Sequence, residues 1–223
     1  MIHFLHPVFT TLILVLIVYS FLEVYENKKY KSIWIVVMVM IIMVGFRKFV
    51  GADYPIYFKA YYYIGEKISF STIINGSRSE FLDMERLYVL VGKIIHDAGF
   101  HFFVFTLTVA IISITLKYIT FERNVVYPSL SLLLYTFPSY FTTDGGHMRQ
   151  AVATGIVFFS FHYIKERKLL SFLFMIYLAM GFHNSAFLFV VTYWLVLVPL
   201  NSIRILLLVL MSMASVSYTH LRA

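Results

Sequence analysis

Long apolar runs separated by short polar stretches are the dominant pattern along this chain. A helix that crosses a bilayer needs about 20 mostly apolar residues, and several runs approach that length. The candidate spans are roughly 5–22, 32–47, 101–118, 127–142, 149–165, 169–183, 185–200 and 203–216. Because the runs are continuously apolar rather than alternating, they predict an all-α polytopic membrane protein with about eight transmembrane helices.

One further segment, 84–98, is amphipathic and short for a span. Five apolar residues recur on one of its helical faces: Leu87, Leu90, Val91, Ile94 and Ile95. Arg86, Lys93 and Asp97 fall largely elsewhere. Such a helix is expected to lie in the membrane interface or to re-enter it partway. A ninth span over the same residues is the alternative.

The distribution of basic residues favours eight spans over nine. Cytoplasmic loops of membrane proteins carry an excess of Lys and Arg. If 84–98 does not cross, the basic segments 23–31, 117–123 and 165–168 all lie in the cytoplasm, whereas a ninth span would place two of them outside. We therefore predict an external N-terminus and a long external segment over 48–100 that contains the amphipathic helix.

Three short polar clusters interrupt the apolar pattern: RKFVGADY at 47–54, DGGHMRQ at 144–150 and FHNS at 182–185. In the predicted topology all three lie at the outer face of the membrane. Ionisable groups at membrane depth are energetically costly, so they mark functional sites. Two arginines, an aspartate and a histidine that converge at one face predict a site for a phosphate-bearing lipid.

The first cluster offers a cation, a carboxylate and two aromatic rings. The planar fork of Arg47 suits phosphate and stays charged at any relevant pH, and Asp53 could accept a proton from a hydroxyl nucleophile. The alternative is an interfacial Arg–Asp pair that anchors the helix end. Tyr54 and Tyr57 lie at helical spacing, where they could stack on sugar rings or belong to the aromatic belt at the membrane surface.

The second and third clusters add an arginine and a histidine. Arg149 falls in the first turn of a predicted helix, where free N–H groups already favour anions, so a bound anion would relieve the extra positive charge. Snorkelling of Arg149 to lipid head groups is the alternative. His183 is a candidate base, phosphate donor or satisfied core residue. Glu85, external in the predicted topology, is an alternative base to Asp53.

Composition supports a membrane protein and excludes several kinds of binding site. The chain of 223 residues is 61% hydrophobic and 13% charged, with a mean hydropathy of +0.83. The net charge of +7 comes from basic residues in short clusters between apolar runs, which indicates topology signals and anionic-lipid contacts rather than nucleic acid. Cysteine is absent, which excludes disulfides and thiolate metal sites. HExxH, DxD, EF-hand and Walker motifs are also absent, so we predict no metal site, no cofactor and no ATP-driven transport.

The residues at the two ends of the chain allow separate predictions. No Lys or Arg precedes the first apolar run and no small-residue cleavage site follows it, so a retained span is predicted rather than a cleavable signal. VSYTHLRA at 216–223 breaks the preceding helical pattern and is interpreted as a non-native tail. The remainder, 1–215, is predicted to be a single transmembrane domain.

Together the clusters resemble motifs of the EpsG family of bacterial polysaccharide polymerases, which is similar in function to the Wzy-like O-antigen polymerases. The resemblance rests on GFRKFVGADYPIYF at 45–58, MRQAVATGIVFFSFHYIKERK at 148–168 and FHNSA at 182–186. It covers about residues 1–210. The family pattern commonly has Thr where this chain has Ala52, and a loss of C-terminal spans relative to the family is expected.

The resemblance implies a GT-C-like helical fold in the bacterial cytoplasmic membrane, with the site on the extracytoplasmic side. It implies a polymerase that transfers a polyprenyl-diphosphate-linked oligosaccharide to a hydroxyl of another lipid-linked repeat unit in exopolysaccharide or capsule synthesis. Membrane lipids and other polysaccharide-assembly proteins are the further partners expected. The residues that match the family motifs are Arg47, Asp53, Arg149 and His183.

These residue types fit such a transfer reaction. A diphosphate leaving group gains negative charge as the glycosidic bond breaks, and fixed cations stabilise that charge without a metal. Arg47 and Arg149 are the candidates for binding the diphosphate. The candidates for the base that activates the acceptor hydroxyl for direct displacement are Asp53, His183 and Glu85.

A transporter or flippase for a lipid-linked or anionic solute is the rival from another functional class. It would also place arginines within the membrane. Transporters often contain inverted repeats and broken helices near the bilayer midplane, and neither is evident in the sequence. The clustering of polar groups at one face favours the polymerase.

Overall fold

The computed structural model describes residues 7–48, 50–51, 53–199 and 201, and its regular structure is helical. No β-strand occurs within these described ranges, which confirms the predicted all-α class. The α-helices are α1 (Pro7–Glu26), α2 (Ile33–Gly45), α3 (Tyr54–Lys67), α4 (Phe70–Asn75), α5 (Arg86–Asp97), α6 (Phe102–Asn124), α7 (Pro128–Tyr135), α8 (Met148–Lys165), α9 (Leu169–Met180) and α10 (Thr192–Leu195). Shorter 3₁₀ segments cover Arg78–Phe81 and Asn184–Val191, and a π-helical segment covers Thr136–Asp144.

Two helices in the described part of the chain, α1 and α6, are long and apolar enough to cross a membrane. Ile33–Gly45, Leu169–Met180 and Asn184–Leu195 are apolar but shorter. Both α2 and α9 end where a polar cluster begins, which limits their length. The predicted count of eight spans is therefore not confirmed. The predicted span at 203–216 and the predicted tail at 216–223 lie outside the described residues.

The chain divides into two compact units, one ending at Phe189 and the other beginning at Val190. In the first unit, α6 is central and packs against α2 and α8. Around it, α9 packs on α8, α1 packs on α7, and α3 packs on α5. In the second unit, Tyr193 of α10 packs edge-on against Trp194, with ring centroids 5.5 Å apart. That 1–215 forms a single transmembrane domain stays a prediction.

Helices α6 and α8 run in the same direction and pack closely. The Ser113 hydroxyl donates to the Ala151 carbonyl over 2.7 Å. Further along both helices, the Lys165 ammonium donates to the Asn124 side chain over 3.1 Å. Between these contacts, an added Cβ at Gly155 would lie only 2.9 Å from the Ser113 carbonyl oxygen. Small residues of this kind allow membrane helices to approach each other.

The predicted amphipathic segment forms helix α5, but it packs on the protein through an unexpected face. Its buried residues are Tyr88, Val89, Gly92 and Lys93. The Lys93 ammonium donates to the Gly65 carbonyl over 2.7 Å and pairs with Asp97 at 2.9 Å. The predicted apolar stripe does not form the packed face, and Ile94 within it is 52% exposed. An apolar stripe at the surface suits contact with lipid, and its position in the membrane interface stays a prediction.

Lys117 departs furthest from the sequence-based expectation. The predicted topology places it among the basic residues of a cytoplasmic segment, and the side of the membrane on which it lies stays a prediction. Lys117 lies inside α6, is buried, and pairs with the Asp144 carboxylate at 2.7 Å. The rule that cytoplasmic loops are rich in Lys and Arg does not apply to a lysine that is paired inside a helix bundle. Within 117–123, Arg123 is then the basic residue that supports a cytoplasmic end for α6.

Replacement of Gly155 by Ala should weaken the packing of α6 on α8, because the new methyl group would press on the Ser113 backbone. We expect the free energy of unfolding to fall by about 1–3 kcal/mol, measured as a lower midpoint of thermal unfolding in detergent. Gly146→Ala is the matched control, since an added Cβ at Gly146 would meet no atom within 4 Å. Equal midpoints for the two variants would contradict this close approach.

Candidate functional site

The structure brings the three polar clusters together within one compact unit. Nδ1 of His147, from the second cluster, lies 2.9 Å from Oδ2 of Asp53 in the first. Nη1 of Arg149 lies 2.7 Å from Oε2 of Glu85. His183, from the third cluster, approaches the same carboxylate, with 3.5 Å between its Nδ1 and Oε1. We call the following residues the polar site: Arg47, Asp53, Glu85, His147, Arg149 and His183.

Glu85 holds one half of the polar site together. It is buried, and its Oε2 accepts a hydrogen bond from Arg149. Its Oε1 lies 3.6 Å from Arg78 and accepts from the backbone N–H of Asn184 over 3.3 Å. A backbone N–H at the start of α5 donates to the Gly181 carbonyl over 2.9 Å, which fixes Glu85 beside the end of α9. Because donors approach both of its oxygens, this carboxylate is suited to positioning Arg149.

Tyr57 connects the two halves of the polar site. Its hydroxyl lies 3.4 Å from Oδ2 of Asp53, and the Arg149 guanidinium lies over its ring, 5.8 Å from the centroid. Burial raises the pKa of the Tyr57 phenol, so the hydroxyl stays protonated and donates to Asp53. Nε of Arg149 is buried and has no hydrogen-bond partner among the described residues. The guanidinium therefore retains an unused donor.

Arg47 follows the end of α2 and is 9% exposed. Its Nη1 donates to the backbone carbonyl of Asp144. Its Nε and Nη2 are buried and lack a hydrogen-bond partner within the part of the chain that the structure describes. Tyr88 interacts electrostatically with both Arg47 and Arg149, which places the two arginines in the same region. A buried arginine with unused donors is costly unless a ligand oxygen completes its bonds.

The Asp144 side chain forms a buried ion pair next to Arg47. Nζ of Lys117 lies 2.9 Å from Oδ1 and 2.7 Å from Oδ2. The Tyr135 hydroxyl donates to Oδ2 over 2.6 Å, and the Ser113 hydroxyl contacts Oδ1. All four side chains are buried. Asp144 therefore binds the helix bundle through its carboxylate and Arg47 through its carbonyl.

An aromatic cavity of about 440 Å³ opens beside Arg47. Six aromatic side chains form its walls: Phe46, Tyr54, Phe58, Tyr62, Phe102 and Phe103. Lys48 and His101 add basic groups, and no carboxylate is among the described residues that line it. Apolar walls with a cationic end suit an amphiphile that has an anionic head.

His183 lies beside a separate cavity of about 340 Å³, which Gln150 also lines. Its Nδ1 is buried and makes no hydrogen bond to a described residue, with Glu85 at 3.5 Å. A third cavity, of about 360 Å³, borders Glu85 and Arg78. The polar site is thus open to ligand groups from more than one direction.

The predicted sugar contacts are buried in the structure. Tyr54 is 7% exposed and Tyr57 is 3% exposed. Tyr54 packs against Phe102 and lines the aromatic cavity, whereas Tyr57 packs against Tyr88. Their role in sugar binding stays a prediction, as do the roles predicted for the other site residues. No group of three or more His, Asp or Glu side chains in the described ranges is placed to hold a metal ion, and independence of metals also stays a prediction.

Sequence reasoning missed His147, Tyr88 and Lys117 as parts of this region. His147 stands within the second cluster, but its partner lies 94 positions earlier in the chain. Nothing in the local sequence marks Tyr88, because its interaction with two arginines depends on tertiary packing. Lys117 did carry one, because an isolated ammonium within an apolar run calls for a buried partner.

The three polar clusters fall within a match to a known protein family. The model of the EpsG family matches residues 30–221, a range that contains all three polar clusters. No curated protein matches the chain, and no solved structure matches it. The resemblance that the three motifs indicate is therefore confirmed at the level of the family.

Removal of Lys117 should leave Asp144 buried and unpaired. We expect Lys117→Met to lower the free energy of unfolding by about 3–5 kcal/mol, measured by thermal unfolding in detergent. The double variant Lys117→Met/Asp144→Asn removes both charges and should recover much of that loss. Lys165→Met is the control, because Lys165 contacts Asn124 on the exposed part of α8. A single variant as stable as the double variant would contradict the buried ion pair.

Proposed function

The chain belongs to the EpsG family, and we propose that it is a membrane glycosyltransferase that polymerises polysaccharide. Family membership indicates a polysaccharide-polymerase type of function, lipid-linked glycan substrates and a bacterial membrane location. In the specific reaction proposed, a polyprenyl-diphosphate-linked glycan is transferred to a hydroxyl of another lipid-linked repeat unit. The product is an exopolysaccharide or capsule chain, made at the extracytoplasmic side of the cytoplasmic membrane.

The observation that carries this proposal is a pair of arginines with unused, buried donors. Nε and Nη2 of Arg47 and Nε of Arg149 have no hydrogen-bond partner among the residues that the structure describes. Unpaired buried donors cost free energy, and a diphosphate supplies several oxygens that can accept them. Glu85 neutralises Arg149, whereas Arg47 is held by a neutral backbone carbonyl. Positive charge therefore remains for an anionic ligand.

The aromatic cavity supports a lipid-linked ligand in particular. Its six aromatic walls offer an apolar surface to an isoprenoid chain, and Arg47 lines the same cavity. A polyprenyl diphosphate has the matching arrangement, with an apolar chain joined directly to an anionic head. A soluble sugar phosphate would satisfy Arg47 but would leave the aromatic walls without a partner.

In the proposed reaction, the acceptor hydroxyl attacks the anomeric carbon of the donor glycan while the bond to the diphosphate breaks. Negative charge builds on the leaving diphosphate, and Arg47 and Arg149 stabilise it in the transition state. Direct displacement inverts the anomeric centre and requires a base for the hydroxyl proton. Asp53 and His183 remain candidates, whereas the contacts of Glu85 favour a positioning role.

Transport of a lipid-linked or anionic solute is the second candidate, and one feature favours it. The segment after α7 is broken at Phe137, whose backbone is extended with φ −120° and ψ 119°. The expectation of no broken helix is wrong at this point, and transporters often bind substrates or ions at such breaks. The Asp144 carboxylate at the end of this segment is already paired with Lys117, so it offers no free charge to a solute.

Chain growth in reconstituted vesicles separates the two functions. The full chain is placed in liposomes with lipid-linked repeat units and no energy source. We expect longer lipid-linked glycans together with released polyprenyl diphosphate, because the donor itself carries the activated bond. Movement of the repeat unit across the bilayer without any chain growth would overturn the polymerase in favour of the transporter.

Arg149→Lys should slow chain growth by about 100-fold, because lysine keeps the charge but loses the planar fork of donors. The measurement is the initial rate of glycan extension, normalised to the amount of inserted protein. Arg123→Lys makes the same chemical change outside the polar site, where Arg123 lies 5.8 Å from the Phe159 ring centroid, and should leave the rate unchanged. A near-normal rate for Arg149→Lys would remove Arg149 from the diphosphate site.

A further inference from the structure

A histidine–carboxylate pair occupies the exposed part of the polar site. Nδ1 of His147 lies 2.9 Å from Oδ2 of Asp53. The main chain holds both residues. The His147 N–H donates to the Thr143 carbonyl over 2.8 Å and its carbonyl accepts from Ala151 over 2.8 Å, while the Asp53 carbonyl accepts from Tyr57 over 3.0 Å. The pair is thus fixed where α3 and α8 begin.

We propose that His147 is the catalytic base of the polymerase and that Asp53 is its positioning residue. This inference rests on the proposed function and assigns a residue outside the predicted candidates for the base. A hydrogen bond from Nδ1–H to Asp53 leaves Nε2 unprotonated and able to accept a proton. Nε2 makes no hydrogen bond to a residue that the structure describes.

Accessibility separates His147 from the other candidates. Its side chain is 50% exposed, whereas that of Glu85 is 5% exposed. Both oxygens of Glu85 already face cations, since Oε2 accepts from Arg149 and Oε1 lies 3.6 Å from Arg78. The His183 side chain is 32% exposed, but its Nδ1 is buried against Glu85. An acceptor sugar that enters the polar site therefore reaches His147 more readily than Glu85 or Nδ1 of His183.

The pair also lies at a suitable place relative to the diphosphate-binding arginine. The Tyr57 hydroxyl lies 3.4 Å from Asp53, and the Arg149 guanidinium lies over the same tyrosine ring. Tyr57 therefore contacts both the carboxylate that holds the base and the cation. A displacement reaction uses two such groups, because the acceptor enters and the diphosphate leaves on opposite sides of the anomeric carbon.

The proposed step balances without a further reactant. The acceptor hydroxyl gives its proton to Nε2 of His147 as its oxygen bonds to the anomeric carbon. The bond from that carbon to the diphosphate oxygen breaks, and its electron pair leaves with the polyprenyl diphosphate. Asp53 stabilises the imidazolium that forms, and the proton then passes to solvent.

The first test compares two histidine variants in the reconstituted full chain. His147→Gln keeps a polar side chain beside Asp53 but cannot act as a base, so kcat for chain growth should fall about 100-fold or more while KM for the donor is unchanged. His162→Gln is the matched control. His162 also pairs with a carboxylate, Glu166 at 3.1 Å, and is 39% exposed, but it lies outside the polar site.

The second test uses azide, an anionic nucleophile that needs no base. In His147→Gln and in Asp53→Asn, azide should restore release of polyprenyl diphosphate and yield a glycosyl azide. In Arg149→Lys it should not, because activation of the leaving group is impaired there. Rescue by azide also shows that a variant is folded and binds the donor, so loss of structure cannot imitate loss of the base.

Two results would overturn this assignment while leaving the polymerase intact. One is chain growth by His147→Gln at the wild-type rate. The other is a slow His147→Gln variant that azide fails to restore, since its defect then lies elsewhere than in proton transfer. Absence of chain growth in the wild-type protein is a different result, which overturns the proposed function together with this inference.

Discussion

The buried ion pair between Lys117 and Asp144 is the interaction on which the polar site depends. Asp144 ends a π-helical segment inside an apolar bundle, where an unpaired charge would be strongly disfavoured. Lys117 and Tyr135 satisfy its carboxylate, which holds the segment in one position. In that position the Asp144 carbonyl meets Arg47, and His147 follows three residues later along the chain. One ion pair thereby fixes parts of two polar clusters.

The two carboxylates of the polar site have different surroundings, which supports the different roles proposed for them. Glu85 is buried and lies near Arg149 and Arg78, so its negative charge is paired with two cations. Asp53 is partly exposed and pairs with a single imidazole. Burial and partners, rather than the chemical group, decide whether a carboxylate anchors a cation or supports a base. The arginines that Glu85 and the Asp144 carbonyl hold are therefore in place before a substrate arrives.

The sequence was sufficient to predict helices, because long apolar runs have few other stable forms in or near a membrane. It also predicted that the three polar clusters lie at one face, and the structure does bring them together. It did not predict which cation meets which carboxylate. The partner of His147 lies 94 positions away, and no local pattern encodes such a pairing. The packed face of α5 was missed for the same reason, since Tyr88 and Lys93 meet partners that are distant in the sequence, Met148 and the Gly65 carbonyl.

The same ion pair helps to decide between the two candidate functions, glycosyl transfer and solute transport. A transporter alternates between two arrangements, so contacts at its broken helices must form and separate at low cost. Separation of Lys117 from Asp144 would leave a buried charge unpaired, at a cost of about 3–5 kcal/mol. Tyr135 and Ser113 add further contacts to the same carboxylate, so the end of the segment that contains the break at Phe137 is held against α6. Such contacts do not suit a gate that opens and closes, whereas they suit the proposed transferase, in which Arg47 would have to stay fixed beside the diphosphate.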